Sequence, residues 1–471
     1  MAADRTQIAI IGGGPGGYVA AFRAADLGLD VTLIDLDENP GGVCLYRGCI
    51  PSKALLHVAK LLNETREAAE WGVTFGEPQI DLDALRAFKD RVVAKMTGGL
   101  GQLSKARKVT YVRGRAQFTG AQSLKIDLHD GAEQSLTFEQ AILATGSRPV
   151  MLPAFDIGSD RVMDSTGALE LQDIPERLLV VGGGIIGLEL GQVYAALGSK
   201  VSVVEMTDGL IPPADRDLVR VLSKRLETQF EGVHLNTKVT GVVDNGDALD
   251  VTWEPTAGGD PSTLTFDRIL LSIGRRPNTE DLGLDNTKVR LTDHGFVEVD
   301  VQRRTAEPSI FAIGDVIGSA LAHTASHEGI VAAEVMAGQR SAFEPNAIPS
   351  VVYTDPEIAW CGLTEHEAEG RDIKVARFPW AASGRATTQG RSDGVTKLIV
   401  DPQSERVLGV GIAGPGAGEL IAEGVLAVEM AAVVQDVALS IHPHPTLSET
   451  IMEAAEAYHD LSPHITAPRR K

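Results

Sequence analysis

Apolar runs of four residues, each broken by glycines and followed by a stretch of helical spacing, recur along the chain as far as Pro277. Ile8-Ala9-Ile10-Ile11 is the first, and Leu178-Leu179-Val180-Val181 repeats it. Each passes through a glycine turn into a helix and then into a second strand, Val31-Thr32-Leu33-Ile34 in one case and Val201-Ser202-Val203-Val204 in the other. From about Ile348 the pattern changes to short alternating strands such as Lys397-Leu398-Ile399-Val400, then an apolar helix over 417–432 and another over 447–459. That last part reads as an α+β domain, and its expected job is dimerisation.

The two strand–turn–helix–strand units agree in their special positions. The first carries Gly12, Gly14 and Gly17, the second Gly182, Gly184 and Gly187, and an acid follows the first glycine by the same 23 positions, at Asp35 and at Glu205. In such a turn the first glycine bends the chain and the second lets a pyrophosphate approach the backbone at a helix N-terminus. The third lets helix and strand pack closely, and the carboxylate takes the ribose hydroxyls. One such motif is a weak signal. Two copies, each with a strand before, a helix after and the acid at one offset, define two Rossmann-like dinucleotide-binding domains within an α/β chain.

The repeat extends to Ala141–Pro149, echoed by Ile269–Pro277 as the closing strand of each unit and the crossover out of it. From first glycine to closing glycine, Gly12 to Gly146 and Gly182 to Gly274, the units span 134 and 92 positions, so the first holds 42 more. Most of that surplus is expected after Asp35, and it contains two close cysteines. Beyond Pro277, the strand Ile310–Ile313 is stopped by Gly314 and Asp315, where a carboxylate could bind a ribityl or ribose hydroxyl. The expected division is 1–149, 150–276, a central segment 277–347 and the dimerisation domain 348–471.

Composition narrows the class. A chain of 471 residues with 50 glycines, 43% hydrophobic and 23% charged residues is a multi-domain globular protein. Its formal charge of −21 argues against nucleic-acid or anionic-membrane partners. A strand begins at Gln7, leaving no room ahead of it for a signal or transit peptide, and no apolar run is long enough to span a membrane; for a bacterial source the expectation is a cytoplasmic enzyme.

The chemistry is concentrated in Gly41-Gly42-Val43-Cys44-Leu45-Tyr46-Arg47-Gly48-Cys49-Ile50-Pro51-Ser52-Lys53. Zinc is disfavoured, because no second cysteine pair or histidine set accompanies this spacing. Two buried structural thiols are a rival reading, weakened by the position inside a nucleotide-binding unit, where Gly48 and Pro51 shape a helix entry that stabilises thiolates. No metal is expected. The third cysteine, Cys361, reads as a small buried hydrophobe.

Together with Ala144-Thr145-Gly146, Ile273-Gly274-Arg275-Arg276-Pro277-Asn278, Ala312-Ile313-Gly314-Asp315 and His442-Pro443-His444-Pro445-Thr446-Leu447-Ser448-Glu449, this run resembles the pyridine nucleotide-disulfide oxidoreductases over essentially the whole chain. The resemblance is strongest to members that oxidise dihydrolipoamide. It implies FAD in the first unit, held by the glycines of that unit, Asp35, Lys53, Thr145, Gly146, Gly314, Asp315, Ala322 and His323. It implies the nicotinamide cofactor in the second, held by that unit's glycines, Glu205, Gly274 and Arg275. Cys44 would exchange with substrate sulfur, Cys49 would face the flavin, and Lys53 would pair with Glu189. His444 and Glu449 would be an acid–base dyad reaching the disulfide of the other subunit, which makes the protein a homodimer. The implied substrate arm is carried by a lipoyl-bearing acyltransferase of a 2-oxo-acid dehydrogenase complex or by a lipoyl carrier protein.

Glu205 selects NAD on chemical grounds, since a carboxylate accepts the 2′-hydroxyl and repels a 2′-phosphate, and Met206-Thr207-Asp208 supplies no arginine. His442 reads as structural. Two positions depart from the common pattern: Tyr46-Arg47 at the centre of the cysteine loop, where a small polar and an apolar residue are frequent, and Thr324, where lysine is frequent. Rival classes are a flavoprotein NADH oxidase or transhydrogenase, and a non-catalytic nucleotide-sensing subunit.

Overall fold

The second half of strand Asp4–Ile11, Ile8-Ala9-Ile10-Ile11, is apolar at consecutive positions because it is covered on both faces, as strands of parallel sheets are. It pairs in parallel with Val31–Asp35 on one side and with the end of Glu133–Leu143 on the other. Thr110–Gly120 continues the sheet beyond Val31–Asp35, then turns back through Ser123–Leu128 into Glu133–Leu143. The far edge comes from Ile310–Ala312, so residues of the central segment complete the first unit. Ile8, Ile10, Leu33, Ile142 and Phe311 are buried together in this core, each contributing about 1.5–3 kcal/mol of hydrophobic stabilisation. The computed structural model describes residues 4–466; the outermost positions of the first and last expected domains, 1–3 and 467–471, lie outside the described residues.

The second unit repeats this plan. Its parallel sheet runs Gly232–His234, Lys200–Val204, Arg177–Val181, Arg268–Leu271 and Val162–Met163, beside an antiparallel trio, Thr237–Asp244, Leu249–Pro255 and Ser262–Phe266. The crossovers leaving the two units, Ser147–Pro149 and Arg275–Pro277, pair with each other. The surplus of the first unit is three helices after Asp35, namely Gly42–Arg47, Cys49–Glu67 and Leu82–Ala106, where the second unit has only Arg216–Gln229 between corresponding strands.

Residues 350–413 form a five-stranded antiparallel sheet backed by helices. The helix expected over 417–432 ends earlier, at Glu429, because Ala431 takes a left-handed φ of 54° that a helix cannot contain. The one expected over 447–459 is Glu449–Tyr458. Lys397, fully buried in this sheet, places its ammonium 2.8 Å from Asp215, 2.6 Å from Asp217 and 2.6 Å from Glu365. Those carboxylates have the spacing of a cation site, but the lysine already supplies the cation and ties the second unit to the C-terminal sheet. Among the described residues no helix is long and apolar enough to cross a membrane.

Candidate active site

The inserted helices are pinned to the first fingerprint turn. Gly41 N donates to Gly13 O at 2.7 Å, and Gly42 follows with φ +57° so close that a Cβ would lie 2.6 Å from Gly14 Cα. Only glycine combines that backbone with that approach. Cys44 then lies within helix Gly42–Arg47, and Cys49 is the first residue of helix Cys49–Glu67, with Gly48 as the break.

Both cysteines are free thiols, partly buried. A hydrogen bond between them separates their acidities. Cys44 is pushed far up by that bond, by burial and by the neighbouring charge of Cys49. Cys49 is lowered to about 7, chiefly by accepting that bond and then by Lys53, against the opposing effect of burial. Its place at a helix N-terminus works in the same direction.

One turn further on, Lys53 Nζ stands 2.7 Å from Glu189 Oε2 and 4.6 Å from the centre of the Tyr353 ring. Glu189, buried on the second fingerprint helix Ile185–Leu197, also accepts from Tyr353 N at 2.9 Å. The pair therefore joins the cysteine helix, the second unit and the C-terminal domain at one point. Tyr353 is a site residue that sequence reading missed; it lies 300 positions from Lys53 and no motif marks it.

A single cleft of about 1800 Å³ is lined by both cysteines, Lys53, Glu189 and both glycine turns. Each turn has the shape of a nucleotide cradle. A Cβ on Gly12 or Gly17 would run into Ala144 O at 2.1 Å or Gly12 O at 1.8 Å, whereas one on Gly14 would meet nothing within 4 Å. Gly182, Gly184 and Gly187 repeat the scheme, with only the middle position open. The open glycine is the one that faces ligand space. Asp35 accepts from Gly13 N and, at 2.9 Å, from Asp37 N; burial raises its pKa, and those two amides only partly offset the rise. Glu205 accepts from Gly183 N at 2.7 Å and from Thr207 N at 2.8 Å. Each carboxylate is oriented by backbone amides and keeps acceptor capacity for hydroxyls. These features fit a dinucleotide at each turn.

The remaining residues expected to bind the cofactors fall around the same cleft. Thr145 Oγ1 donates to Asn278 O at 2.8 Å, and Gly146 turns with φ +70°. Asp315 accepts from Ser147 Oγ, and Gly314 N donates to the buried carboxylate of Glu328 at 2.7 Å. Glu328 is a second residue that sequence reading missed. Ala322 opens helix Ala322–Met336, and His323 Nε2 is 2.9 Å from Pro349 O, with burial lowering its pKa. Gly274 turns with φ +127° at the cleft wall. Arg275 lines the cleft beside Gly274, and its guanidinium donates to Ser147 Oγ and Ser147 O, at 2.8 and 2.7 Å, and stands 3.9 Å from Asp315. Thr324, buried in the first turn of its helix, has no hydrogen-bond partner for its hydroxyl.

His444 lies apart from all of this. Its Nδ1 is 2.8 Å from Glu449 Oε1, its side chain is 77% exposed, and it is not among the residues lining the cleft. Burial acts to raise the pKa of Glu449, but the amide of Thr446 and the ring of His444 outweigh it and leave the carboxyl below its usual value. The imidazole thus has one nitrogen held and the other turned to solvent. His442, by contrast, is enclosed, with Nε2 2.8 Å from Glu423 and Nδ1 2.7 Å from Ser440 O, and Cys361 is fully buried.

Residues 6–329 match the pyridine nucleotide-disulphide oxidoreductase family, and residues 348–455 match that family's dimerisation domain. The chain belongs to this family. Among similar proteins, the dihydrolipoyl dehydrogenase of Haemophilus influenzae is 50% identical over 457 residues, covering 96% of this chain and 95% of the relative. That of Vibrio cholerae is 48% identical over 96% of both chains. The crystal structure of LpdA from Mycobacterium tuberculosis superposes with a TM-score of 0.88 at 28% identity, over 96% of this chain and 99% of that one. The two cradles joined by a cysteine-bearing insertion are what a family of pyridine nucleotide-disulphide oxidoreductases requires, and the antiparallel C-terminal sheet is its dimerisation domain.

Proposed function

We propose that this homodimer oxidises protein-bound dihydrolipoyl groups to lipoyl groups and reduces NAD, through the Cys44–Cys49 disulfide. The observation that carries the reading is the single cleft that brings the Cys44/Cys49 pair and the Lys53–Glu189 ion pair between the two glycine cradles. In thiol–disulfide exchange the more acidic thiol is the better leaving group. A substrate thiolate attacking Sγ of Cys44 breaks the Cys44–Cys49 bond and expels Cys49 as a thiolate, with Lys53 beside it. The second substrate thiol then attacks the substrate sulfur of the mixed disulfide, closing the lipoyl ring and releasing Cys44. Each attack needs a proton removed, and His444 of the partner subunit would take it.

FAD, held by the Gly12–Gly17 turn, Asp35, Thr145, Gly146, Gly314, Asp315 and His323, would supply the two-electron relay between the dithiol and NAD. Lys53, fixed by Glu189, would hold its charge at the junction of the two cradles. Gly182, Gly184, Gly187 and Glu205 would seat NAD. We assign residues 1–149 to FAD, 150–276 to NAD, 277–347 to completing the FAD site and 348–471 to the dimer contact. The substrate arm would arrive on a lipoyl-bearing acyltransferase or carrier protein.

Anaerobic mixing of the purified protein with dihydrolipoamide and NAD should give NADH. Absence of turnover, with NADPH-driven reduction of glutathione disulfide in its place, sinks the reading. Glu205→Ala should raise KM for NAD by about tenfold and leave kcat/KM for NADP unchanged or improved, since a repelling carboxylate is removed; initial rates with both nucleotides check this.

A further inference from the structure

Tyr46 and Arg47, the two central residues of the cysteine loop, both turn away from the thiols. The charges acting most on Cys44 and Cys49 are each other's and those of Lys53 and Glu189. Arg47 instead grips Asp37 with both arms, Nη1 to Oδ1 at 2.9 Å and Nη2 to Oδ2 at 2.6 Å. Tyr46 Oη donates to Asn39 O at 3.1 Å and accepts from Asn39 N at 3.2 Å. The guanidinium lies 5.6 Å from the centre of the Tyr46 ring, so the two act as one body.

Both contacts fall on residues 36–39, the loop that follows Asp35. Asp37 is the link: its side chain takes the guanidinium, its amide donates to Asp35 Oδ1 at 2.9 Å, and its carbonyl accepts from Tyr111 Oη at 3.0 Å. Arg47, Asp35 and Asp37 all border the cleft. The far end of the loop is fixed too, since Asn39 packs so closely on helix Leu82–Ala106 that a Cβ at Gly101 would lie 2.0 Å from its Oδ1. A bidentate arginine–carboxylate pair fixes orientation as well as distance, which a lysine or an apolar residue at the same place would not.

We propose that Tyr46 and Arg47 are positioning residues for the adenosine end of the flavin, clamping the loop 36–39 to the cysteine helix and so fixing the carboxylate of Asp35 toward the ribose. This deepens the assignment of FAD to the first unit and rests on it. The charges of Asp37 and Arg47 act on the Asp35 carboxyl in opposite directions, Asp37 raising its pKa and Arg47 lowering it, so the clamp acts on Asp35 by position, through the Asp37 amide, rather than by charge. Redox loop and nucleotide site are thereby one mechanical unit.

The test is flavin affinity of the full-length homodimer, measured by reconstituting apoprotein with FAD. Arg47→Val and Asp37→Asn should each raise the FAD dissociation constant by about tenfold, a modest figure because the guanidinium is partly exposed. Tyr46→Phe should raise it by about threefold, as the loss of one neutral hydrogen bond. The exchanged pair, Arg47→Asp with Asp37→Arg, should recover most of the loss, and added FAD should restore turnover in the single variants. Unchanged FAD affinity in the Arg47 and Asp37 variants overturns the proposal, as does an equal drop in apoprotein melting temperature that the exchange does not repair. Wild-type protein that takes up no flavin overturns the underlying assignment before any variant is compared.

Discussion

Serine at Cys44 or at Cys49 is expected to lower dihydrolipoamide-dependent NADH formation by about 10³-fold or more, because the disulfide cannot form and no other residue of the cleft can carry the electrons. The two variants should differ in what survives. Cys49 owes its pKa of about 7 first to the hydrogen bond it accepts from Cys44. A serine hydroxyl can still donate that bond and an alanine cannot. In Cys44→Ser the remaining thiol should therefore titrate close to neutrality, with the thiolate present above the midpoint and lost as pH falls below it. In Cys44→Ala the midpoint should move up. The pH dependence of alkylation of Cys49 by iodoacetamide reads this directly, and equal midpoints in the two variants would show that Lys53 and the helix terminus set the acidity alone.

The parts of this site that could be read in sequence are those whose chemistry is local. A strand, its glycine turn, its helix and the following acid all lie between Ile8 and Asp35, and the two copies revealed each other. The Cys44–Cys49 run is equally local. What sequence did not disclose is long-range. Tyr353 reaches Lys53 from the C-terminal domain, and Glu328 reaches back 14 positions to Gly314 N. Arg275 sits in a motif that resemblance assigns to the second unit, yet its guanidinium faces Ser147 and Asp315, because the two crossovers pair and bring those residues within its span. The direction in which Arg47 points was also invisible, since its partner Asp37 precedes it by ten positions across a turn.

Glutamine at His444 is expected to lower kcat/KM for dihydrolipoamide by about 10²–10⁴-fold, the usual worth of a general base. The reaction of NADH with an electron acceptor that bypasses the thiols should be spared. The reason to test this in mixed dimers is geometric. His444 is outside the cleft that holds its own subunit's cysteines, exposed, and oriented through Nδ1 by Glu449, so its free nitrogen can serve only something brought to it from outside. Take one protomer carrying His444→Gln with an intact cysteine pair, and another carrying Cys44→Ser with an intact histidine. Both homodimers should be inactive. If each site is built from both subunits, the heterodimer regains one complete site, with cysteines from the first protomer and histidine from the second, and should show about half the wild-type rate per dimer. If each site lay within one subunit, neither half of the heterodimer would be complete and the rate would stay at the level of the homodimeric variants. Separating tagged heterodimers and measuring dihydrolipoamide turnover distinguishes the two arrangements without reference to how strongly either substitution acts alone.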